Sequence, residues 1–179
     1  PYKFDYPQTG LISPTTLRYL KVASDLKKNF GNIGQEIAEI GCGYGGQFLI
    51  LDKIFTLNKY YIFDLAIVNK LIEKYIESFV VTSSYKTLTL NEFDGKKQFD
   101  FVISNYAFSE LPKLTQITYI TKIILNSKKG YMTMNSGLDE SAFQNNHLSL
   151  DEIKNYLPKV KIIKEEPNTY KGNYILIWK

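Results

Sequence analysis

The sequence predicts an α/β fold built on one mostly parallel sheet with helices on both faces. Three observations predict it. From residue 36 onward, short apolar runs alternate with stretches of helical periodicity, the pattern of strand–helix–strand units. The first of those strands runs into a glycine cluster that opens a helix. The last two apolar runs are separated by a joint too short for a parallel crossover, so they pair antiparallel.

The elements follow in order. Residues 1 to 12 carry no clear periodicity and are expected to be irregular. Ser13-Pro14 reads as an N-cap followed by proline in the first turn, and Leu17, Leu20, Ala23, Leu26 and Phe30 continue at helical spacing. Lys27 and Lys28 suit the negative end of that helix and Gly31 its stop, so a helix is predicted over 14–29. Strands are predicted at 36–40, 59–63, 79–82, 99–104, 131–134, 160–164 and 174–178. Helices are predicted from 47 to 55, along the apolar face of Ile67, Val68, Leu71, Ile72, Tyr75 and Ile76, and along Leu114, Ile117, Ile120 and Ile124. Ser149-Leu150-Asp151-Glu152 has the spacing of a capping box and opens a short helix that Pro158 stops. Seven strands with the last pair tightly joined imply one reversed strand near the sheet edge. Residues 1–30 are expected to form an N-terminal segment and helix packed on the core, and 31–179 the ligand-binding domain.

Composition narrows the function. The chain has 179 residues, 44% hydrophobic and 22% charged, values of an ordinary single globular domain. No apolar run reaches membrane-span length. The start lacks the apolar stretch of a signal peptide, and its first residue, Pro1, suggests a trimmed beginning. One cysteine, Cys42, builds no internal disulfide and fits a reducing cytoplasm. One histidine and one cysteine make a zinc centre an unsuitable expectation. The net charge of +4 comes from scattered lysines with Arg18 as the sole arginine, which argues against dedicated nucleic-acid binding.

The densest segment is Glu39-Ile40-Gly41-Cys42-Gly43-Tyr44-Gly45-Gly46. Glycines let the backbone turn sharply and approach a ligand, and the next helix presents free N–H groups. Gly41, Gly43 and Gly46 also fit the dinucleotide fingerprint. Asp64 ends the next predicted strand, where a carboxylate accepts hydrogen bonds from ribose hydroxyls; it also suits a helix N-cap. Three features favour S-adenosylmethionine over a dinucleotide. Glu39 stands where it would attract a cationic ammonium and repel a pyrophosphate. No stretch after the last strand is left for a dehydrogenase's substrate domain. The antiparallel final pair is typical of methyltransferases. Glu39 also suits a structural role beneath the loop.

The fourth strand breaks into Ser104-Asn105-Tyr106-Ala107-Phe108-Ser109-Glu110-Leu111. Ligands of open α/β sheets bind beyond the C-terminal ends of strands, which puts Ser104, Asn105 and Tyr106 beside a transferred group. This run, the glycine loop, Ser13-Pro14-Thr15-Thr16-Leu17-Arg18-Tyr19, Tyr60-Tyr61-Ile62-Phe63-Asp64-Leu65 and Gly130-Tyr131-Met132-Thr133-Met134-Asn135 occur in one chain. Together they resemble the bacterial sugar O-methyltransferases, a family of class I S-adenosylmethionine-dependent methyltransferases with a Rossmann-like sheet. The resemblance implies S-adenosylmethionine as donor and a sugar or nucleotide-sugar hydroxyl, often in polysaccharide synthesis, as acceptor. It puts the donor on Glu39, Gly41, Gly43 and Asp64. Cys42 stands where the family pattern calls for glycine, and the N-terminal part is short for the family.

The expected donor site therefore comprises Glu39, Gly41, Cys42, Gly43, Tyr44, Asp64, Ser104 and Asn105, with Tyr106 and Asn135 toward the acceptor. A hydroxyl acceptor must lose a proton, and the candidate bases are Glu110 and His147. His147 is the first choice, because imidazole is the side chain suited to proton removal near neutrality. Asp139 and Glu140 are adjacent acids expected to be solvated, and no metal is expected. A non-catalytic S-adenosylmethionine-binding module and an NAD-dependent oxidoreductase remain as alternatives.

Overall fold

In a computed structural model, which describes residues 2–135 and 146–179, the chain forms a seven-stranded sheet and a separate two-stranded hairpin. The hairpin pairs β1 (Phe4–Tyr6) with β2 (Gly10–Ile12), where irregular structure was expected. Its signal is local: Thr9 N–H closes on the Tyr6 carbonyl at 3.0 Å, Pro7 stands second in the turn, and Gly10 takes φ 72°. That is turn chemistry, not apolar alternation.

α1 (Pro14–Phe30) begins as its sequence dictates. The Ser13 hydroxyl accepts from Thr16 N–H at 3.2 Å, and Gly31 at φ 67° ends the helix. Val22, Ala23 and Leu26 are buried. Then come β3 (Glu36–Ile40), α2 (Gly46–Ile54), β4 (Lys59–Phe63), α3 (Ala66–Ile76), β5 (Ser84–Leu88), β6 (Phe99–Asn105), α4 (Ala107–Glu110), α5 (Lys113–Tyr119), β7 (Ser127–Met134), α6 (Leu150–Tyr156), β8 (Lys161–Lys164) and β9 (Tyr174–Trp178). The sheet order is β5-β4-β3-β6-β7-β9-β8. Only β9 runs against its neighbours, and it lies between β7 and β8, as the short final joint requires.

The alternating side chains of each strand feed two apolar layers. Ile37, Tyr60, Ile62, Phe101 and Ile103 pack with Leu26 of α1, Phe48 and Leu51 of α2, and Ile72 of α3. Ala38, Ile40, Phe63, Phe99, Val102 and Met132 pack on the other face with Ile120, Ile123 and Ile153. Among the described residues, no helix is long and apolar enough to cross a membrane.

Three expectations need correction. The strand predicted at 79–82 lies at 84–88 instead. Phe79 and Val80 are exposed, and Thr82 and Ser83 are held by the buried Asp52 carboxylate, which accepts both backbone N–H groups at 2.9 and 2.8 Å. β5 is a polar edge strand, so apolarity is a poor guide to it. Ile67 and Leu71 are exposed, and α3 buries Asn69, Ile72 and Ile76. The helix marked by Leu114 to Ile124 is split: α5 passes into a π-helical turn over Ile120–Ile124, with Leu125 N–H reaching the Ile120 carbonyl at 2.9 Å. The buried face runs through Gln116, Tyr119, Ile120, Ile123 and Ile124, and Leu114 at the start of α5 is exposed.

Candidate active site

The glycine loop follows from backbone geometry. Gly41, Gly43 and Gly45 all have positive φ, at 73°, 66° and 96°. A Cβ on Gly41 would lie 2.1 Å from the Ala107 Cβ, so the loop and the start of α4 approach only because glycine is there. At Gly43 the Cβ position is open space, which leaves the backbone accessible to a ligand. Gly45 is the N-cap of α2 and offers no side-chain cap to the first N–H groups of that helix.

The two acids are placed differently. Asp64 is half-buried just past the end of β4 and anchors the loop: its Oδ2 accepts from Cys42 N–H at 3.0 Å and its Oδ1 from Leu65 N–H at 2.8 Å. Glu39 is 1% exposed and accepts from the Tyr60 hydroxyl at 2.8 Å. Burial pushes its carboxyl up to about 7, against the pull of hydrogen bonds from the Cys42 thiol and Tyr60. Burial also raises the Cys42 thiol and the Tyr60 phenol, with the Glu39 charge adding to both. Glu39, expected to meet a ligand ammonium, is thus enclosed beneath the loop, in keeping with the structural role its position also suits. The carboxylate lies under the loop, and only its field reaches the space above. The Cys42 side chain is likewise buried, and its N–H serves Asp64. Tyr44 packs edge-on against Tyr75, with ring centres 5.0 Å apart.

From Asp64 an open crevice of about 480 Å³ runs past Leu65, Leu90 and Asn91 to Leu111 and Tyr119. Among the described residues, no lysine or arginine lines it. Burial, with the Asp64 charge adding, pushes the Tyr119 phenol up to about 12. Leu65, Leu90 and Asn91 are site residues that sequence reasoning missed. The signal of Leu90 and Asn91 was hidden by the misplaced third strand, whereas Leu65 stands next to Asp64 and was open to view. With β5 ending at Leu88, Leu90 and Asn91 stand just beyond a strand C-terminus, where ligands of such sheets bind.

At the end of β6, Ser104 is fully buried, donates to the Ile40 carbonyl at 2.8 Å and receives Phe108 N–H at 3.2 Å. It ties the loop ends together and faces no open space, which corrects its expected donor contact. Asn105 is half-buried: its amide donates to Gln47 Oε1 at 3.3 Å and its oxygen accepts from the Thr133 hydroxyl at 3.3 Å. Gln47 and Thr133 orient it, and neither stood out in the sequence. Tyr106 has φ 69°, and its hydroxyl donates to Glu165. Glu110 is exposed and accepts from the Asn135 amide at 2.7 Å, so those two expected residues meet. His147 is exposed, in a turn fixed to α5 by Lys113 N–H to the Asn146 carbonyl at 2.6 Å and Leu148 N–H to Gln116 at 2.6 Å. Asp139 and Glu140 lie outside the described residues.

The strand order, the reversed β9 and the loop after β3 define the Rossmann-like methyltransferase fold. Particular solved structures share it. A magnesium protoporphyrin IX methyltransferase from Synechocystis PCC 6803, with bound S-adenosylmethionine, superposes with a TM-score of 0.66 at 16% identity, over 91% of this chain and 78% of its own. An S-adenosylmethionine-dependent methyltransferase from Clostridium acetobutylicum gives 0.66 at 9% identity, over 93% and 91%. An amino pentose methyltransferase of calicheamicin biosynthesis from Micromonospora echinaspora, also bound to S-adenosylmethionine, gives 0.64 at 10% identity, over 93% and 92%. No protein-family model matches the sequence, and no curated protein matches it significantly.

Proposed function

We propose that this protein is an S-adenosylmethionine-dependent methyltransferase whose acceptor is a sugar hydroxyl. The observation that carries the reading is the crevice beside Asp64. It has a carboxylate at the ribose position, apolar walls at Leu65, Leu90 and Leu111, an amide at Asn91 for the exocyclic amine of adenine, and no cationic side chain for a pyrophosphate. The open backbone at Gly43 and the uncapped start of α2 suit the amino-acid end of the donor.

When bound, the donor supplies a methyl carbon activated by a positive sulfur. The chain's own residues must align the acceptor oxygen and take its proton. Alignment of this kind is worth up to roughly 7–11 kcal/mol in ideal cases. Asn105, fixed by Gln47 and Thr133, is the positioning group. Glu110, fixed by Asn135, is the base in this reading, with His147 as its competitor; a placed base contributes typically ~10²–10⁴-fold. The amino pentose enzyme supports a sugar acceptor by fold likeness.

The test is calorimetry with S-adenosylmethionine and with NAD, followed by a screen of sugar acceptors for release of S-adenosylhomocysteine. Binding of the first ligand alone, with turnover on a sugar, is expected. Binding without turnover on any acceptor identifies a non-catalytic binding module. NAD binding alone overturns the reading. A drop in kcat in Glu110→Gln with His147→Ala unchanged assigns the base.

A further inference from the structure

A second cavity, about 250 Å³, lies between α1, the strands β7 and β9, the loop that joins β8 to β9, and Tyr106 just after β6. Its charged lining is Arg18, Lys21, Asp25, Glu165 and Glu166, with Tyr106 beside Arg18, and Glu166 is paired outside the cavity lining with Lys164 at 3.6 Å. It adjoins the end of β6, because Thr133, which lines it, also donates to Asn105.

The charges in this cavity are not equally committed. Lys21 and Asp25 form an ion pair at 2.6 Å. The Glu165 carboxylate is 6% exposed and saturated: it accepts from the Tyr106 hydroxyl, from Thr169 N–H at 3.0 Å and from the Thr169 hydroxyl at 2.9 Å. Arg18, the chain's sole arginine, is exposed at the cavity mouth and has no carboxylate within 4.0 Å among the described residues. Its guanidinium carbon stands 5.4 Å from the centre of the Tyr106 ring. Tyr106 in turn is the one non-glycine residue with positive φ among those described, fixed by its N–H to the Thr133 carbonyl at 2.8 Å and by its hydroxyl to Glu165. A planar guanidinium on an aromatic face keeps its N–H fork free for a two-pronged contact with an oxyanion.

We propose that this cavity receives an anionic group of the acceptor, a phosphate or a carboxylate carried by the sugar, with Arg18 as its counter-ion and Tyr106 as the platform that aims it. The proposal rests on the reading of the Asp64 crevice as the donor site, since it makes this cavity the acceptor's. Three probes separate the sources: a nucleoside-diphosphate sugar, a uronic acid and a neutral methyl glycoside, each titrated calorimetrically into protein saturated with S-adenosylhomocysteine. At least one anionic probe is expected to bind at least tenfold more tightly than the neutral one, with affinity falling as salt rises. Arg18→Gln is expected to abolish that preference and Arg18→Lys to restore part of it, while both keep the affinity for S-adenosylhomocysteine. Whichever anion binds names the source. Equal affinity for all three probes, no binding by any, or an unchanged preference in Arg18→Gln overturns the proposal. Failure of S-adenosylhomocysteine to bind, with an Arg18-dependent preference intact, overturns the donor reading and with it the acceptor role given to this cavity, and leaves only an anion site at Arg18.

Discussion

Glu39 is a carboxylate with no route to water, and its titration is a direct readout of the loop above it. Its ordinary value is 4.5, and in the fold it is pushed up to about 7 by burial. The folded state therefore holds a proton that the unfolded chain has already released. The stability gained from this is complete below about pH 4.5 and is lost as pH rises through about 7. Thermal melts of the native protein should fall between about pH 5 and about pH 8, and Glu39→Gln should flatten that part of the profile. Identical profiles in the two proteins would show that Glu39 is not the titrating group. Asp64 faces the crevice instead and orients two backbone N–H groups, those of Cys42 and Leu65. Asp64→Asn keeps an acceptor but loses the charge. Since hydrogen bonds to charged groups are worth about 1.5–3 kcal/mol, donor affinity should drop about 10- to 100-fold with the far-UV spectrum unchanged.

The elements that frame the site rest on a few local devices. At α6 the Ser149 hydroxyl receives Glu152 N–H at 3.3 Å, and the Glu152 carboxylate receives Ser149 N–H at 2.9 Å. Lys113 lies 2.5 Å from that carboxylate and, with the cap, holds it down to about 2. Ser149→Ala should cost about 1 kcal/mol, a fall in Tm of roughly 2–4 °C by calorimetry. Gly41→Ala tests the loop against α4. The added methyl meets Ala107 in a backbone region L-residues avoid, so the loss should exceed about 1 kcal/mol and donor binding should weaken with it. The capping box, the α1 cap and the glycine loop were all legible as sequence, because each is a short-range contract between neighbouring residues. The elements that were misread depend on distant partners. β5 is set by Asp52 on another helix, and the π turn by the apolar layer it must fill.

For the molecule as a whole, a ligand that binds only the folded chain stabilises it by mass action. Donor at about 100 times its dissociation constant adds about 2.7 kcal/mol. That corresponds to roughly 5–10 °C in Tm for a chain of this size, with no comparable shift from NAD. The sheet order was legible from the alternation of elements and the tight final joint. The candidate site was legible only in part. Asp64, Asn105, Glu110 and Asn135 were singled out by their places after strands, but that Asn135 donates to Glu110 was not legible before the fold brought them together. Glu39 and Ser104 point inward for a reason no linear spacing reveals: the parity of β3 and the closure of the β6 loop put them beneath the backbone.

The position of β9 also makes the sheet edge a dependent pair. β8 precedes it in the chain yet has β9 as its neighbour in the sheet, and β9 inserts beside β7 with Trp178 lying over Gly130. β8 is joined to the rest of the sheet through β9, so a substitution that loosens β9, such as Trp178→Ala, should expose the amides of both strands together in hydrogen exchange.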